Sequence, residues 1–462
     1  MLKRGAASAA ATAVKPVVWS IAGNDSVGGA GLSADQRAAE AFGVHLCPVV
    51  AAVTAQNSRA VTRVDAVSAD LLDAQLAALA DDIPPAAIKT GLLGSADNVR
   101  AVLCWLERLR RRASVALVVD PVLRASTGAD FADVALLAAY RELLGHATLV
   151  TPNDAEAARL LGRPAGADLP PADQMARALR ALGPLAVAIT GGDRKRHAGW
   201  SLDWIDAGHA QGWLALPRVH TVNNHGTGCT FATAAACGLA LGFVPEDALV
   251  LAKMAAAQAL RHGHAAGQGA GPVGESAGFG ADPSLLPDLS WGDERGFLER
   301  IAAARSQMQD VPGDIGLYAI VDRVERVRQV LGAGVKTVQL RIKTPKAPDA
   351  AWRGALQQSI TDALALCRQA DAVLVVNDHW RLALQSAGGD YRHLAIHLGQ
   401  EDLSALDANE RRNLAEGPVR LGVSSHSLWE LARARGLAPW TIACGPVWPT
   451  LTKAMPWQPQ GL

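Results

Sequence analysis

The segment "HGTGC" (225–229) sets two glycines and a threonine before a thiol, at the mouth of the Ala-rich run "TFATAAACGLALG". A helix start exposes unpaired N–H groups and carries the positive end of the helix dipole. Glycines let that backbone approach a phosphate closely. Gly226, Thr227 and Gly228 could therefore steady a phosphoryl group in transfer. A thiol at this position is expected to have a lowered pKa, which makes Cys229 a candidate general base toward an alcohol. The plain alternative is a glycine turn followed by a buried cysteine that packs like alanine, as Cys237 would. No Walker-type lysine accompanies the segment.

Other chemistry-bearing residues lie at the ends of apolar runs. "VALVVD" closes on Asp120, and "TPNDAEA" sets Asn153 and Glu156 three apart at a helix start, the spacing of a capping box. Further on, "VQLRIK" alternates Gln339, Arg341 and Lys343 with Leu340 and Ile342, so strand geometry would put the three polar residues on one face. Two cations on an enclosed face call for an anion. "LVVNDHW" ends a run with Asn377 and Asp378, and "HLGQEDL" carries Asp402. Two carboxylates at neighbouring strand ends suit an octahedral magnesium ion that shares phosphate oxygens. "GVSSHS" adds Ser424, and "GPVWPTLTK" adds Thr450, Leu451, Thr452 and Lys453.

These residues need scaffolds that present strand ends. In the first half, "PVVWSIAG", "HLCPVVAAVTAQN", "AAIKTGL", "VALVVDPVL", "ATLVTPN" and "PLAVAITGG" alternate with helical patterns. That rhythm predicts an α/β domain with a largely parallel sheet, whose ligands lie beyond the strand carboxyl ends. Periodicity fades after about residue 263, and the Gly/Pro/Ser-rich text predicts a linker, placed at 274–312. The rhythm resumes in "LYAIV", "TVQLRI", "AVLVVN", "LAIHLG", "VRLGVS" and "TIACGP", six strands spaced as in a (β/α) barrel. The predicted division is a disordered tail (1–15), a first domain (16–273), the linker, and a second domain (313–462).

At 462 residues, the chain is too long for one hydrophobic core. Its 44 basic and 44 acidic residues leave no net field to draw nucleic acid or an anionic membrane. Six cysteines without metal-ligand spacing suggest reduced thiols and a cytoplasmic location. No apolar run is long enough for a transmembrane helix. A homo-oligomer is left open.

The block "IAGNDSVGGAGLSADQRAAEAFGVHLCPVVAAVTAQN", with "AIKTGLLGS", "VVDPVL", "TPNDAEA", "ITGGD" and "NNHGTGCTFATA" in that order, resembles the hydroxymethylpyrimidine and hydroxymethylpyrimidine-phosphate kinases. These belong to the ribokinase-like superfamily, which implies a doubly wound fold. The resemblance implies ATP-dependent phosphorylation of the pyrimidine alcohol and then of its monophosphate. It assigns Gly23, Asp35 and Gln56 to the pyrimidine, and Asp120, Asn153, Glu156, Thr190 and Gly192 to nucleotide and Mg2+. Thr190 stands where that family often has lysine, which removes one cation from the phosphates.

Residues 313–462 resemble thiamin phosphate synthase through "GLYAIVDR", "AGVKTVQLRIK", "VVNDHWRLAL", "IHLGQEDL", "RLGVSSHS" and "CGPVWPTLTKAMPWQPQGL". The resemblance implies that Gln339, Leu340, Arg341, Ile342, Lys343, Asn377 and Lys453 hold a pyrimidine diphosphate. It implies Ser424, Thr450, Leu451 and Thr452 near the thiazole phosphate, and Asp378 and Asp402 on magnesium. Only six of the family's eight β-α units are present, so a TIM-type barrel lacking its last two units, with doubtful synthase activity, is the expectation. The substrates implied are small molecules: the pyrimidine and its phosphates, thiazole phosphate and ATP. Rival readings are a pyridoxal or pyridoxine kinase and a non-catalytic binder of thiamin precursors.

Overall fold

The computed structural model describes residues 14–123, 133–164, 168–192, 199–292, 296–307 and 315–448. The chain divides into two compact units, residues 1–209 with 216–287, and residues 210–215 with 288–462.

The first unit is built on strands β1 (Val17–Asn24), β2 (His45–Gln56), β3 (Val61–Ala66), β4 (Ala87–Thr90), β5 (Ala116–Val119), β6 (Leu149–Val150), β7 (Ala186–Ile189) and β8 (Trp200–Asp206). They lie in the order β8-β7-β6-β5-β4-β1-β2-β3. The run from β7 to β2 is parallel, while β3 and β8 pair antiparallel at its two sides. Strands β4 and β7 are buried throughout, as continuous apolar runs must be in a sheet covered on both faces.

The helix Ala96–Arg110 shows how sequence sets these pieces in place. Ser95 accepts a hydrogen bond from the Asn98 N–H at its start, and Arg108 and Arg110 suit the negative end of its dipole. Val99, Val102, Leu103, Leu106 and Leu109 bury its inner stripe. Asn98 Nδ2 donates to Leu93 O (2.8 Å), Ala51 O (3.2 Å) and Val67 O (3.3 Å), tying the ends of several segments beside the later cavity. The helix Thr227–Ala240 has no polar stripe; Thr230–Gly238 are all buried. Gly238 allows close packing on the helix Pro245–Arg261, since a Cβ there would stand 2.9 Å from that of Ala248.

The sheet is largely parallel, as expected, with "AVTRVDAV" and "WSLDWID" adding flanking antiparallel strands. One expectation changes. The span predicted as a linker is largely built into the units: Phe279 and Leu285 are buried in the first, and Phe297 and Ile301 in the second. Apolar anchors spaced too irregularly for a periodic pattern account for the difference.

In the second unit β9 (Gln211–Pro217) contributes Leu214 and Ala215, which pair antiparallel with β10 (Asp288–Leu289). All six predicted later strands are present: β11 (Tyr318–Val321), β12 (Thr337–Leu340), β13 (Val373–Asn377), β14 (Leu394–Leu398), β15 (Arg420–Ser425) and β16 (Thr441–Cys444). They form one parallel sheet in chain order, a half-barrel among the described residues. Val338, Leu340, Leu374, Val376, Ile396 and Val423 pack one face against Leu356, Ile360 and Leu364 of the helix Ala350–Gln369. No helix among the described residues is long and apolar enough to cross a membrane.

Candidate active sites

A cavity of about 1950 Å³ opens at the strand ends of the first unit. Gly23, Gln56, Asp120, Asn153, Glu156, Thr190, Gly192, Gly226, Thr227, Gly228 and Cys229 all line it. Residues spread over some two hundred positions thus meet on one surface, as strand-end placement requires. The register of β1 against β2 shifts between Ala22 and Gly23, where the strand reaches the cavity.

Asp35 is the exception. It is fully buried and does not reach the cavity wall. Its Oδ2 accepts from Ser20 Oγ at 2.6 Å, its Oδ1 from Thr233 Oγ1 at 2.6 Å, and Lys89 Nζ stands 3.0 Å from Oδ1 and 3.1 Å from Oδ2. Every oxygen lone pair is committed, so the expectation that Asp35 reads the pyrimidine edge is corrected: it anchors Lys89. Lys89 lines the cavity from beneath, with Asp120 Oδ2 3.7 Å away. Burial works against its charge, but the neighbouring acidic groups, Asp35 first, outweigh it and hold the ammonium protonated well above the ordinary lysine range.

Gly226 caps the helix Thr227–Ala240 with φ +90°, and a Cβ there would strike Gly29 O at 2.1 Å. Thr227 N donates to Asn224 O and Thr230 N to Gly226 O, and the two N–H groups between them, of Gly228 and Cys229, open on the cavity wall. Of the three expected donors, Thr227 thus has its N–H engaged by Asn224 O. The thiol shifts in the direction opposite to the expected one. Burial pushes the Cys229 thiol up to about 12 against the help of Lys89 and the Gly31 N–H, and the nearby carboxylates of Asp35 and Asp120 add to the rise. This favours the thiol over the thiolate, the opposite direction from an acidified base, although the residue is only half-buried.

Asn153 and Glu156 form the capping box: the Glu156 N–H donates to Asn153 Oδ1 and the Asn153 N–H to Glu156 Oε2, each at 2.9 Å. Both still face the cavity. Thr190 N donates to Pro152 O, and Gly192 O accepts from Arg218 Nη1 at 2.7 Å. Asp120 Oδ2 and Thr151 Oγ1 are buried and lack hydrogen-bond partners, yet both residues line the cavity. Buried oxygens without hydrogen bonds, one of them 3.7 Å from the Lys89 ammonium, leave room for a cation that carries phosphates.

Sequence reasoning missed several cavity residues. Lys253 pairs with Asp203 at 2.7 Å, and Asp203 Oδ1 accepts from Gly191 N at 2.9 Å, fixing the glycine turn after β7. Asp25 and His225 meet at 2.9 Å across 200 positions. Only the strand-end position of "ND" and the histidine beside "GTGC" hinted at them.

In the second unit, alternation sets Gln339, Asn377, His397 and Ser424 on the sheet face opposite the apolar core. Asn377 pairs in register with His397, whose Nε2 lies 2.8 Å from Ser424 Oγ. The strand ends at Leu340, so the predicted alternation stops there: Arg341 and Lys343 are exposed beyond it. Leu340 is 1% exposed within the core and offers no side chain to a ligand, and the Ile342 carbonyl lies 2.9 Å from His379 Nε2. Asp378 adopts φ +63°, a left-handed conformation that aspartate tolerates better than most residues. Burial and the charge of Asp402 raise its carboxyl above the usual range, against help from His379, Arg341 and Asn377. Asp402 Oδ2 accepts from the Gly399 N–H at 3.1 Å. No cluster of three or more His, Cys, Asp or Glu among the described residues could hold a metal. Thr450, Leu451, Thr452 and Lys453 lie outside the described residues.

The phosphomethylpyrimidine kinase family matches residues 25–274, and thiamine monophosphate synthase matches 317–462. The chain belongs to the phosphomethylpyrimidine kinase family. A probable thiamine biosynthetic bifunctional enzyme of rice is 33% identical across 97% of this chain and 78% of its own length. The hydroxymethylpyrimidine/phosphomethylpyrimidine kinase of Synechococcus elongatus is 41% identical over 56% of this chain and 97% of its own. Among solved structures, an ADP complex of Bacillus subtilis pyridoxal kinase has TM-score 0.51 and 29% identity, covering 57% of this chain and 98% of that one. The chain is a bifunctional thiamine biosynthetic enzyme, with a kinase domain that uses ATP joined to a thiamine-phosphate synthase domain.

Proposed function

We propose that the kinase cavity binds the aminopyrimidine at Gln56 and Gly23 and receives the γ-phosphoryl group at the start of the helix Thr227–Ala240. The observation that carries this reading is the pair of open N–H groups at Gly228 and Cys229 beside the charged Lys89. The hydroxymethyl oxygen forms a bond to the γ-phosphorus as the bond to ADP breaks. Negative charge on the transferring group meets fixed donors, which cost no reorganisation. In a loose transfer the alcohol keeps its proton until late and then passes it to an oxygen of the transferred phosphoryl group, so a neutral Cys229 suffices as a hydrogen-bonding neighbour. Asp120, with Glu156 acting through water, would hold Mg2+, which would neutralise phosphate charge. Asn153, Thr190 and Gly192 line the nucleotide side.

In the second unit, Gln339, Arg341, Lys343 and Asn377 are the proposed seat of the pyrimidine diphosphate. Burial and the charge of Asp402 raise the cost of ionising Asp378, a cost that a magnesium ion with water and diphosphate ligands would relieve. There the carbon–oxygen bond to diphosphate breaks, pyrophosphate leaves, and the thiazole nitrogen bonds to the methylene carbon.

The test is a pair of assays on one preparation. ATP-dependent formation of the pyrimidine diphosphate, followed by thiamine phosphate once thiazole phosphate is added, is the expected result. A higher kcat/KM for pyridoxal than for hydroxymethylpyrimidine would overturn the kinase assignment. Pyrimidine binding without ATP consumption would instead favour a binding protein.

A further inference from the structure

Two histidine-bound contacts fix something the reaction itself does not require: which end of an amide faces the substrate. Asp25 is 6% exposed, and its carboxylate gathers the glycine loop after β1. Oδ1 accepts from Val27 N at 2.9 Å, and Oδ2 accepts from Gly29 N at 3.1 Å and Ala30 N at 2.8 Å. Burial raises its pKa, but the bonds from His225, Val27 and Ala30 outweigh this and hold it below the usual range. An ionised carboxylate only accepts. Its 2.9 Å contact with His225 Nε2 therefore requires that nitrogen to carry the proton, in the neutral and the charged ring alike.

The same nitrogen lies 3.5 Å from the amide end of Gln56. With its one hydrogen directed at Asp25, Nε2 has no lone pair to accept from an amide NH2, so the oxygen of that amide belongs on the histidine side. The NH2 group then points into the cavity. Ser26 holds the Gln56 backbone from both sides, its Oγ accepting from Gln56 N at 2.9 Å and donating to Gln56 O at 2.8 Å. His225 is equally constrained: its ring lies on Gly29, where a Cβ would stand 2.3 Å from Cδ2, and its backbone pairs with Gly271 and Val273.

We propose that Asp25 and His225 are positioning residues that lock the Gln56 amide with its NH2 toward the substrate, so that Gln56 selects a ring acceptor atom rather than an exocyclic amine. This rests on the assignment of Gln56 to the pyrimidine. Three kinase measurements with hydroxymethylpyrimidine on the full chain test it. His225→Phe keeps the ring over Gly29 but removes the donor, and should raise the pyrimidine KM about tenfold, with kcat within about threefold and the KM for ATP unchanged. Gln56→Glu keeps an acceptor for His225 but deletes the donor, and should raise that KM by at least about tenfold. Nitrogen-15 NMR of the wild type should find His225 Nε2 protonated at pH 7. A wild-type pyrimidine KM in folded His225→Phe or Gln56→Glu, or an unprotonated Nε2, would overturn the proposal. Gln56→Ala separates the two layers. If it leaves the pyrimidine KM intact, the site assignment fails and this inference with it. If it raises the KM while His225→Phe does not, the positioning role alone fails.

Discussion

Lys89 and Asp35 form an ion pair with no solvent exposure on either side chain, Nζ standing 3.0 Å from Oδ1, and Lys89 borders the cavity of the first unit. Breaking one partner strands the other's charge in a dry site, which is far costlier than never having had the pair.

Asp35→Ala should therefore destabilise the kinase unit by about 3–5 kcal/mol and abolish phosphorylation. Thermal or urea unfolding checks the first outcome and an ADP-release assay the second. Lys89→Met, which leaves Asp35 unpaired, should fall in the same range. A stable, active Asp35→Ala protein would show that the pair is dispensable.

Cys229 should react slowly with iodoacetamide. Its pKa is raised to about 12, above the free-thiol value, so the nucleophilic thiolate is scarce at pH 8 and grows only as pH climbs toward that value. Peptide mapping at pH 8 should find exposed Cys104 alkylated well before Cys229. The reverse order would restore the acidified thiol. Cys229→Ser should leave the pH profile of kcat between 6.5 and 9, a range chosen for the assay, without a lost thiol limb.

Gly226→Ala should lower kinase turnover by about 100-fold or more, since both its φ of +90° and a Cβ 2.1 Å from Gly29 O displace the helix start. The melting temperature should fall by only a few degrees, the usual scale for one strained surface-facing turn. Equal loss in both measurements would mean that the substitution acts on folding alone.

Asp378→Asn should weaken Mg2+-dependent binding of pyrophosphate to the second unit by about tenfold, because one of two charges that favour the cation is gone. Isothermal titration with and without Mg2+ reads this directly. Kinase rates in the same protein should match wild type, and unchanged Mg2+-dependent affinity would remove Asp378 from the metal site.

The strands of both units were readable because buried parallel strands are short apolar runs closed by polar or glycine residues. Membership of the cavity followed from that placement for Gln56, Asp120 and Glu156. What failed was environment. A helix start argues for an acidic thiol at Cys229, but the desolvation of its half-buried place in the cavity wall, invisible in the sequence, pushes the other way. Asp35 sits on a helix where a solvated charge looks as reasonable as a ligand, and only the fold brings Ser20, Lys89 and Thr233 around it. Strand β12 stops one residue too early for Arg341 and Lys343 to share the enclosed face of Gln339. The Asp25–His225 pair depends on contact across 200 positions, which no local pattern encodes.

The interlocked glycines also decide where this cavity tolerates redesign. With Gly226 pressed on Gly29 O and Gly29 pressed on His225, neither loop accepts even a methyl group unless its neighbour retreats. Gly192 and Gly228 border the same space, and a Cβ at either meets nothing within 4 Å. Engineering that seeks a smaller or differently shaped pocket can therefore start from those two positions, leaving the loop junction untouched.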